Sequence, residues 1–171
     1  MKTESNHLAI LLISFALTAC STQKSYTLKK EGTDIILKGI VPKEVLMNPK
    51  VYPWFAWGIN NYKPDTTRIN QLKPLAKGLN VLVIAGSWCS DTQRDLPKFY
   101  KVAELIGLKT NQISLIMVDR DKKCSNIDID IMQIKNIPAF IFYYEGKEKG
   151  RIIENTILSM EADMVNIFNL K

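Results

Sequence analysis

Val81-Leu-Val-Ile-Ala-Gly-Ser-Trp-Cys-Ser-Asp-Thr92 decides how the remaining residues are read. Val81 to Ala85 is apolar at every position, the pattern of a short strand buried on both faces of a sheet. Gly86-Ser87 then supplies a turn, and the residues beyond Cys89 open a helix. A thiol at a helix start meets backbone N–H groups without intrahelical partners and the positive end of the helix dipole, and both favour the thiolate. Trp88 shields it on one side. Thiol chemistry at Cys89 is the leading reading, against the plainer alternative of a buried, inert cysteine at a strand end.

Outward from that stretch, composition narrows the field. The 171 residues suit one domain with a full core, and 46% apolar with 23% charged residues is ordinary for a globular chain. The net charge of +6 comes from scattered cations such as Lys29, Lys30, Lys122, Lys123, Lys147, Lys149 and Arg151. They form no basic block interleaved with aromatics, so no nucleic-acid partner is expected. An anionic membrane surface is a softer attraction for the same charge.

The N-terminus reads as a targeting segment. Lys2 is followed by an apolar run from Leu8 to Ala19, too short to span a bilayer. The run ends in Leu17-Thr18-Ala19-Cys20, which resembles the bacterial lipobox. That resemblance implies a signal peptide over 1–19, lipidation of Cys20 and a mature domain held on a membrane outside the cytoplasm. A plain secretory signal or an N-terminal anchor is the competing reading. With Cys20 acylated, Cys89 and Cys124 are the remaining thiols. The single histidine, His7, leaves with the signal, so Cys-His and Ser-His-Asp catalysis and a His-based metal site are excluded from the mature chain. No metal or other cofactor is expected.

In chain order, residues 20–32 read as a polar tether and 33–171 as the domain. Thr33–Val41 has strand composition. An aromatic segment at about 42–63 holds Tyr52, Trp54, Phe55, Trp57 and Tyr62, either a lid on the core or an exposed groove, with the lid favoured. Asp65 is placed to cap a helix that buries Ile69, Leu72, Leu75 and Ala76, with Pro74 shortening it and Gly78 ending it. The helix after Cys89 runs to about Ile106 with Leu96, Phe99, Tyr100, Val102, Ala103 and Ile106 inward; Gly107 caps it and Pro97 kinks it. Ile113–Val118 is a second central strand, followed by the charged loop Asp119–Cys124. Asp128–Lys135 reads as a short helical stretch with Ile131 and Ile134 inward. A strand Phe140–Tyr144, a turn at Glu145-Gly146-Lys147 and a strand near Gly150–Glu154 make an antiparallel hairpin, and an amphipathic helix at about Ser159–Leu170 closes the chain. The fold class is therefore α/β, a mixed sheet covered on both faces with a terminal antiparallel hairpin.

These residues resemble the thioredoxin superfamily and its three-layer sandwich. Trp88-Cys89 lies at a strand-to-helix junction, Pro97 falls eight residues beyond the cysteine, Ile137-Pro138 precedes a strand, and the order of elements ends β-β-α. The likeness covers Asn80 to Leu170 and extends to Thr33; among its members, the bacterial envelope thioredoxin-like lipoproteins are most similar. It implies that Pro138 is cis and that the Ile137-Pro138 edge pairs with substrate backbone beside Cys89. The departure is the motif itself. Where the family's dithiol members carry Cys-x-x-Cys, this chain reads Cys89-Ser90-Asp91-Thr92, so the in-motif resolving thiol is replaced by Thr92. Ala139 likewise stands where many members have Thr.

A single nucleophile leaves three expectations. Thr92 would offer its hydroxyl to the thiolate, while Asp91 would complement the helix dipole but oppose that negative charge. Cys124, on the same sheet end, would resolve a mixed disulfide if it approaches Cys89, or be a loop cysteine without a role. The partners expected are protein thiols and disulfides of the envelope. Peroxide reduction lacks the Thr and Arg expected around a peroxidatic cysteine, and a redox-inactive binding or chaperone module is the non-enzymatic alternative.

Overall fold

Strand, turn and helix follow the sequence pattern most closely around the quoted stretch. The computed structural model describes residues 25–124 and 127–170; the signal segment and Cys20 lie outside the described residues. Six strands form one mixed sheet: β1 (Tyr26–Glu31), β2 (Asp34–Ile40), β3 (Leu79–Ala85), β4 (Ile113–Met117), β5 (Ala139–Tyr144) and β6 (Lys147–Ile153). Their order across the sheet is β1-β2-β4-β3-β5-β6. Only β3 and β4 run parallel; every other neighbouring pair is antiparallel. Among the described residues there are five α-helices: α1 (Lys43–Leu46), α2 (Pro53–Asn61), α3 (Thr66–Leu72), α4 (Ser90–Ile106) and α5 (Met160–Ile167).

The period of two in a strand sorts the central side chains onto opposite faces. Val81, Val83 and Ala85 of β3, Leu115 and Met117 of β4, and Phe140 and Phe142 of β5 point to one side, where all five helices contribute to the core. Ile84, Ile116, Ala139 and Ile141 point to the other. That second face is covered by residues 118–124 and 127–138, through Val118, Cys124, Ile129, Ile134 and Ile137. The fold is the α/β thioredoxin-like sandwich expected, with its second cover made of irregular chain instead of a regular helix.

Several local signals act as read. The Asp65 carboxylate accepts the Thr67 N–H and caps α3; Pro74 sits in a short 3₁₀ turn, Lys73–Leu75, that finishes it. Gly107 ends α4 in the left-handed region at φ 86°, which a residue without Cβ enters freely. Glu145 and Gly146 both have positive φ, the geometry of a two-residue hairpin turn between β5 and β6.

Three expectations are corrected. Residues 26–31 of the expected tether form β1, an edge strand paired along its length with β2. Its exposed residues are polar except Leu28, because an edge strand has one neighbour to satisfy, so its composition resembles a linker. The stretch 128–135 is not a helix but one 3₁₀ turn, Asp130–Met132, ended by Gln133 in the left-handed region. Ile131 is therefore 79% exposed while Ile134 is buried. The last helix is shorter than read, Met160–Ile167, with the Ser159 side chain accepting from the Ala162 N–H at its start.

The aromatic segment is mostly a lid. Tyr52 and Phe55 are buried, and Phe55 meets Tyr100 of α4 edge to face at 5.4 Å between centroids. Gly58 brings α2 against α4 so closely that a Cβ there would lie 2.6 Å from the Pro97 ring. Trp57, however, is 70% exposed on the same helix.

Candidate active site at the Cys89 turn

The turn between β3 and α4 is held from four sides. The Ser87 hydroxyl, buried, accepts the Leu37 N–H at 3.0 Å and donates to the Ile35 carbonyl at 2.9 Å, tying the turn to β2. The Gln93 side chain donates to the Ser87 carbonyl at 2.9 Å. Thr92, fully buried, accepts the Gly86 N–H at 3.3 Å. The Trp88 indole N–H donates to the Val118 carbonyl at 3.1 Å. Gly86 leaves no space for a larger residue: a Cβ would sit 2.8 Å from the Trp88 ring and 3.0 Å from Ile137 Cδ1.

Cys89 occupies the N-cap position of α4 with extended backbone (φ −85°, ψ 125°), and its side chain makes no capping bond. The thiol is half-buried and points to the neighbouring loop, where Sγ donates to the Ile137 carbonyl at 3.6 Å. That bond exists only in the protonated thiol. The Ile137-Pro138 peptide is cis, and the Pro138 carbonyl accepts the Glu154 N–H at 2.7 Å. Asn136 also donates to the Glu154 carboxylate at 2.9 Å, so the proline loop and the residues after β6 form one tied edge beside the sulfur.

Charge around α4 is organised by Arg94. Its Nη1 reaches Asp91 at 2.6 Å, and its Nη2 reaches Asp95 at 2.6 Å and Asn155 Oδ1 at 2.6 Å. The hydrogen bonds to Asp95 come first in raising the guanidinium pKa, outweigh its partial desolvation, and are reinforced by Asp91. Asp91 thus spends its charge on Arg94, which offsets the repulsion expected between its carboxylate and a thiolate. Asp95, only 1% exposed, is shared with Lys98 Nζ at 2.9 Å. Across the site, the Arg120 guanidinium lies 5.3 Å from the Trp88 ring centre and also pairs with Glu31 and Asp34 of the β1–β2 hairpin.

Of the residues singled out from sequence, Trp88, Cys89, Ile137 and Pro138 are brought together. Thr92 is at the site, but its hydroxyl is bonded to the turn amide and not to the thiol, the competition with backbone groups that short hydroxyl side chains favour. Cys124, 9% exposed, belongs to the apolar cluster against which Trp88 and Cys89 pack; both cysteines are free thiols. Sequence reading passed over Ser87, Gln93, Arg94 and Arg120. The spacing of Asp91 and Arg94, three apart on a helix, was a legible sign of their pairing. The partners of Ser87 and Arg120 lie on distant strands, and no local signal gives them. No group of His, Cys, Asp and Glu side chains fit to hold a metal occurs among the described residues.

A family model described as thioredoxin matches residues 55–156, more than half of the chain. The chain belongs to the thioredoxin family. The family match starts inside α2 and stops before α5, so it takes in the Cys89 turn, the proline loop and the β5–β6 hairpin. No curated protein matches. Among solved structures, a protein of unknown function from Pseudomonas aeruginosa aligns with a TM-score of 0.46 at 16% identity, covering 68% of this chain and 72% of that one. Fasciola hepatica thioredoxin aligns at 0.38 with 21% identity, over 60% and 89% of the two chains. Oxidised thioredoxin O2 from Arabidopsis thaliana aligns at 0.38 with 15% identity, over 63% and 89%.

Proposed function

We propose that this thioredoxin-family chain carries out thiol–disulfide exchange with Cys89 as its single nucleophile, anchored through lipid on Cys20 in a bacterial envelope, on the periplasmic side. The observation that carries the reading is the Cys89 sulfur, half-buried at the start of α4 and 3.6 Å from the Ile137 carbonyl beside Pro138. In this scheme the Cys89 thiolate attacks one sulfur of a client disulfide. A mixed disulfide forms and the other client sulfur leaves as a thiolate. Without a Cys at position 92, release comes from a second client thiol, which reshuffles disulfides with no net redox change, or from Cys124 or an external thiol attacking the Cys89 sulfur, which frees the client thiol and leaves Cys89 in a new disulfide with the attacking thiol. Trp88 and Gly86 keep the sulfur in place, Thr92 holds the turn, and the Ile137-Pro138 edge aligns the client backbone.

The test is recovery of activity by scrambled, fully oxidised ribonuclease in a glutathione buffer with the full chain added. Wild type accelerates recovery and Cys89→Ser does not; equal rates for the two proteins sink the reading. A mixed disulfide that persists longer in Cys124→Ala identifies Cys124 as the resolving thiol.

A binding module without redox function is favoured by one observation, the exposure of Trp57 on a helix otherwise used for packing. It predicts that Cys89→Ser captures unfolded clients as well as wild type does.

A further inference from the structure

Between α2 and α4 lies a cleft of about 380 Å³ whose walls include Trp54, Trp57 and Tyr62 and whose rim includes Gln93, Arg94 and Lys98. Its size is in the range of small-ligand pockets and ample for one large side chain. The walls are set by packing: Trp54 stands edge to face with Tyr52 and Phe55 at 6.1 and 5.6 Å, and Lys98 Nζ lies 5.9 Å from the Tyr62 ring centre. Trp57 is the exception, standing free at the mouth.

Resting on the exchange reading above, we propose that this cleft is a specificity subsite for the polypeptide client of Cys89, taking an aromatic side chain that has a carboxylate next to it. Three observations support that occupant. The cleft begins on the helix that starts at the nucleophile, about 6 Å along its axis by helical rise; Gln93 lines it while holding the Ser87 carbonyl of the Cys89 turn. A client chain at Cys89 reaches that far in two or three extended residues. The indoles and the phenol favour an aromatic guest, which gains edge-to-face contact with rings and the attraction of Arg94 and Lys98 for its π face. The charged side chains lining the cleft are both cations; their carboxylate partners, Asp91 on Arg94 and the buried Asp95 on both, balance them in number but are not among the lining residues, so the charged groups that face the guest are the guanidinium and the ammonium.

The experiment uses the reduced full chain and three peptides, each with one cysteine activated as its 3-nitro-2-pyridyl disulfide. Cys89 joins the peptide sulfur, and nitropyridinethiolate leaves and is read by absorbance. The first peptide carries a Trp-Asp pair three residues to either side of the cysteine, the second Ala-Asp and the third Trp-Lys. At low peptide concentration the Trp-Asp peptide reacts on the order of tenfold faster than the Ala-Asp peptide, the effect of about 1.4 kcal/mol of added contact. The Trp-Lys peptide falls between them. In Trp57→Ala the ratio of Trp-Asp to Ala-Asp rates drops close to one. Equal rates in wild type, a ratio that survives Trp57→Ala, or a Trp-Lys peptide as fast as Trp-Asp overturns the proposal. Serine versions of the peptides read the cleft without thiol chemistry, through the indole N–H signals of Trp54 and Trp57 in labelled protein. If no peptide reacts with Cys89, the exchange reading falls, while shifts of those signals by the Trp-Asp serine peptide still sustain the subsite. Indole-3-acetate shifting them as strongly as that peptide overturns the polypeptide occupant in favour of a small aromatic acid.

Discussion

The helical face of the sheet and its opposite face differ in what covers them. On the first, the Phe99 ring lies tilted against Phe140 at 5.1 Å and edge to face with Tyr100 at 5.5 Å between centroids, and five helices interlock around large rings. On the second, Ile84, Ile116 and Ile141 are covered by residues 118–124 and 127–138, which bring Ile129, Ile134, Ile137 and Cys124. The Cys89 turn packs on this thinner cover. Helical layers resist displacement because each side chain is locked by neighbours on rigid rods, whereas an irregular cover can settle into a lost volume. The Cys89 sulfur is thus placed where the chain around it is held by specific hydrogen bonds, at Ser87, Trp88 and Thr92, more than by bulk packing.

The largest effect expected from that contrast is in truncation. Phe99→Ala opens a cavity among locked rings and should cost about 4 kcal/mol; Ile134→Ala, where the cover can collapse inward, should cost about 2 kcal/mol. Urea unfolding of the two variants compares them directly. Equal costs would break the contrast, and show the irregular cover to be as rigid as the helices.

A smaller effect probes the specific contacts. Gly86→Ala places a methyl 2.8 Å from the Trp88 ring and 3.0 Å from Ile137, so the indole and the proline loop must part. The expected loss of stability is about 1–3 kcal/mol. The sharper readout is chemical: the rate at which Cys89 forms a mixed disulfide should change together with the loss of the Trp88 bond to Val118. A destabilised variant with an unchanged Cys89 rate would mean that Trp88 does not position the thiol.

The same contrast explains what sequence reading caught. On the helical face, the inward set from Leu96 to Ile106 repeats with a helical period, and all six of those residues are buried. Val81–Ala85 declares itself because both its faces must be apolar. Asp65 and Gly107 are end signals that act within their own turn. On the other face the cover has no period to read. Ile131 and Ile134, three apart, look like one helical face, yet a single 3₁₀ turn ended by Gln133 puts only Ile134 inside. Of the site, the sulfur, its tryptophan and the proline loop were legible because they lie in one compact motif each. Ser87 was not, since its bonds to Leu37 and Ile35 span half a hundred residues of chain. Thr92 was found but misdirected: nothing in its spacing says whether its hydroxyl serves a thiol or a backbone amide.

The smallest effect separates two carboxylates, one serving each cover. Glu161 of α5, buried, accepts the Tyr62 hydroxyl at 2.7 Å and the Asp65 N–H at 3.1 Å, joining the aromatic segment to the last helix. Asp119, partly exposed, accepts from Lys38 at 2.5 Å and from the Asp121 and Lys123 amides, folding the turn that leads to Cys124. Burial pushes both carboxyl pKa values up, but the hydrogen bonds outweigh it and hold each below its ordinary value, 4.5 for Glu161 and 3.8 for Asp119. A depressed folded pKa means that the unfolded chain takes up the proton first as pH falls. The stabilisation is then complete above the ordinary value and is lost as pH drops through the folded one. Stability should therefore decline below about pH 4.5, first through Glu161. Glu161→Gln, which keeps one acceptor oxygen, should flatten that decline in pH-dependent urea unfolding. Asp119→Asn should flatten it less, because solvent screens the pair with Lys38. If the two variants flatten it equally, the irregular cover carries as much acid-sensitive structure as the helical one, and the thinness of its packing is made good by charge.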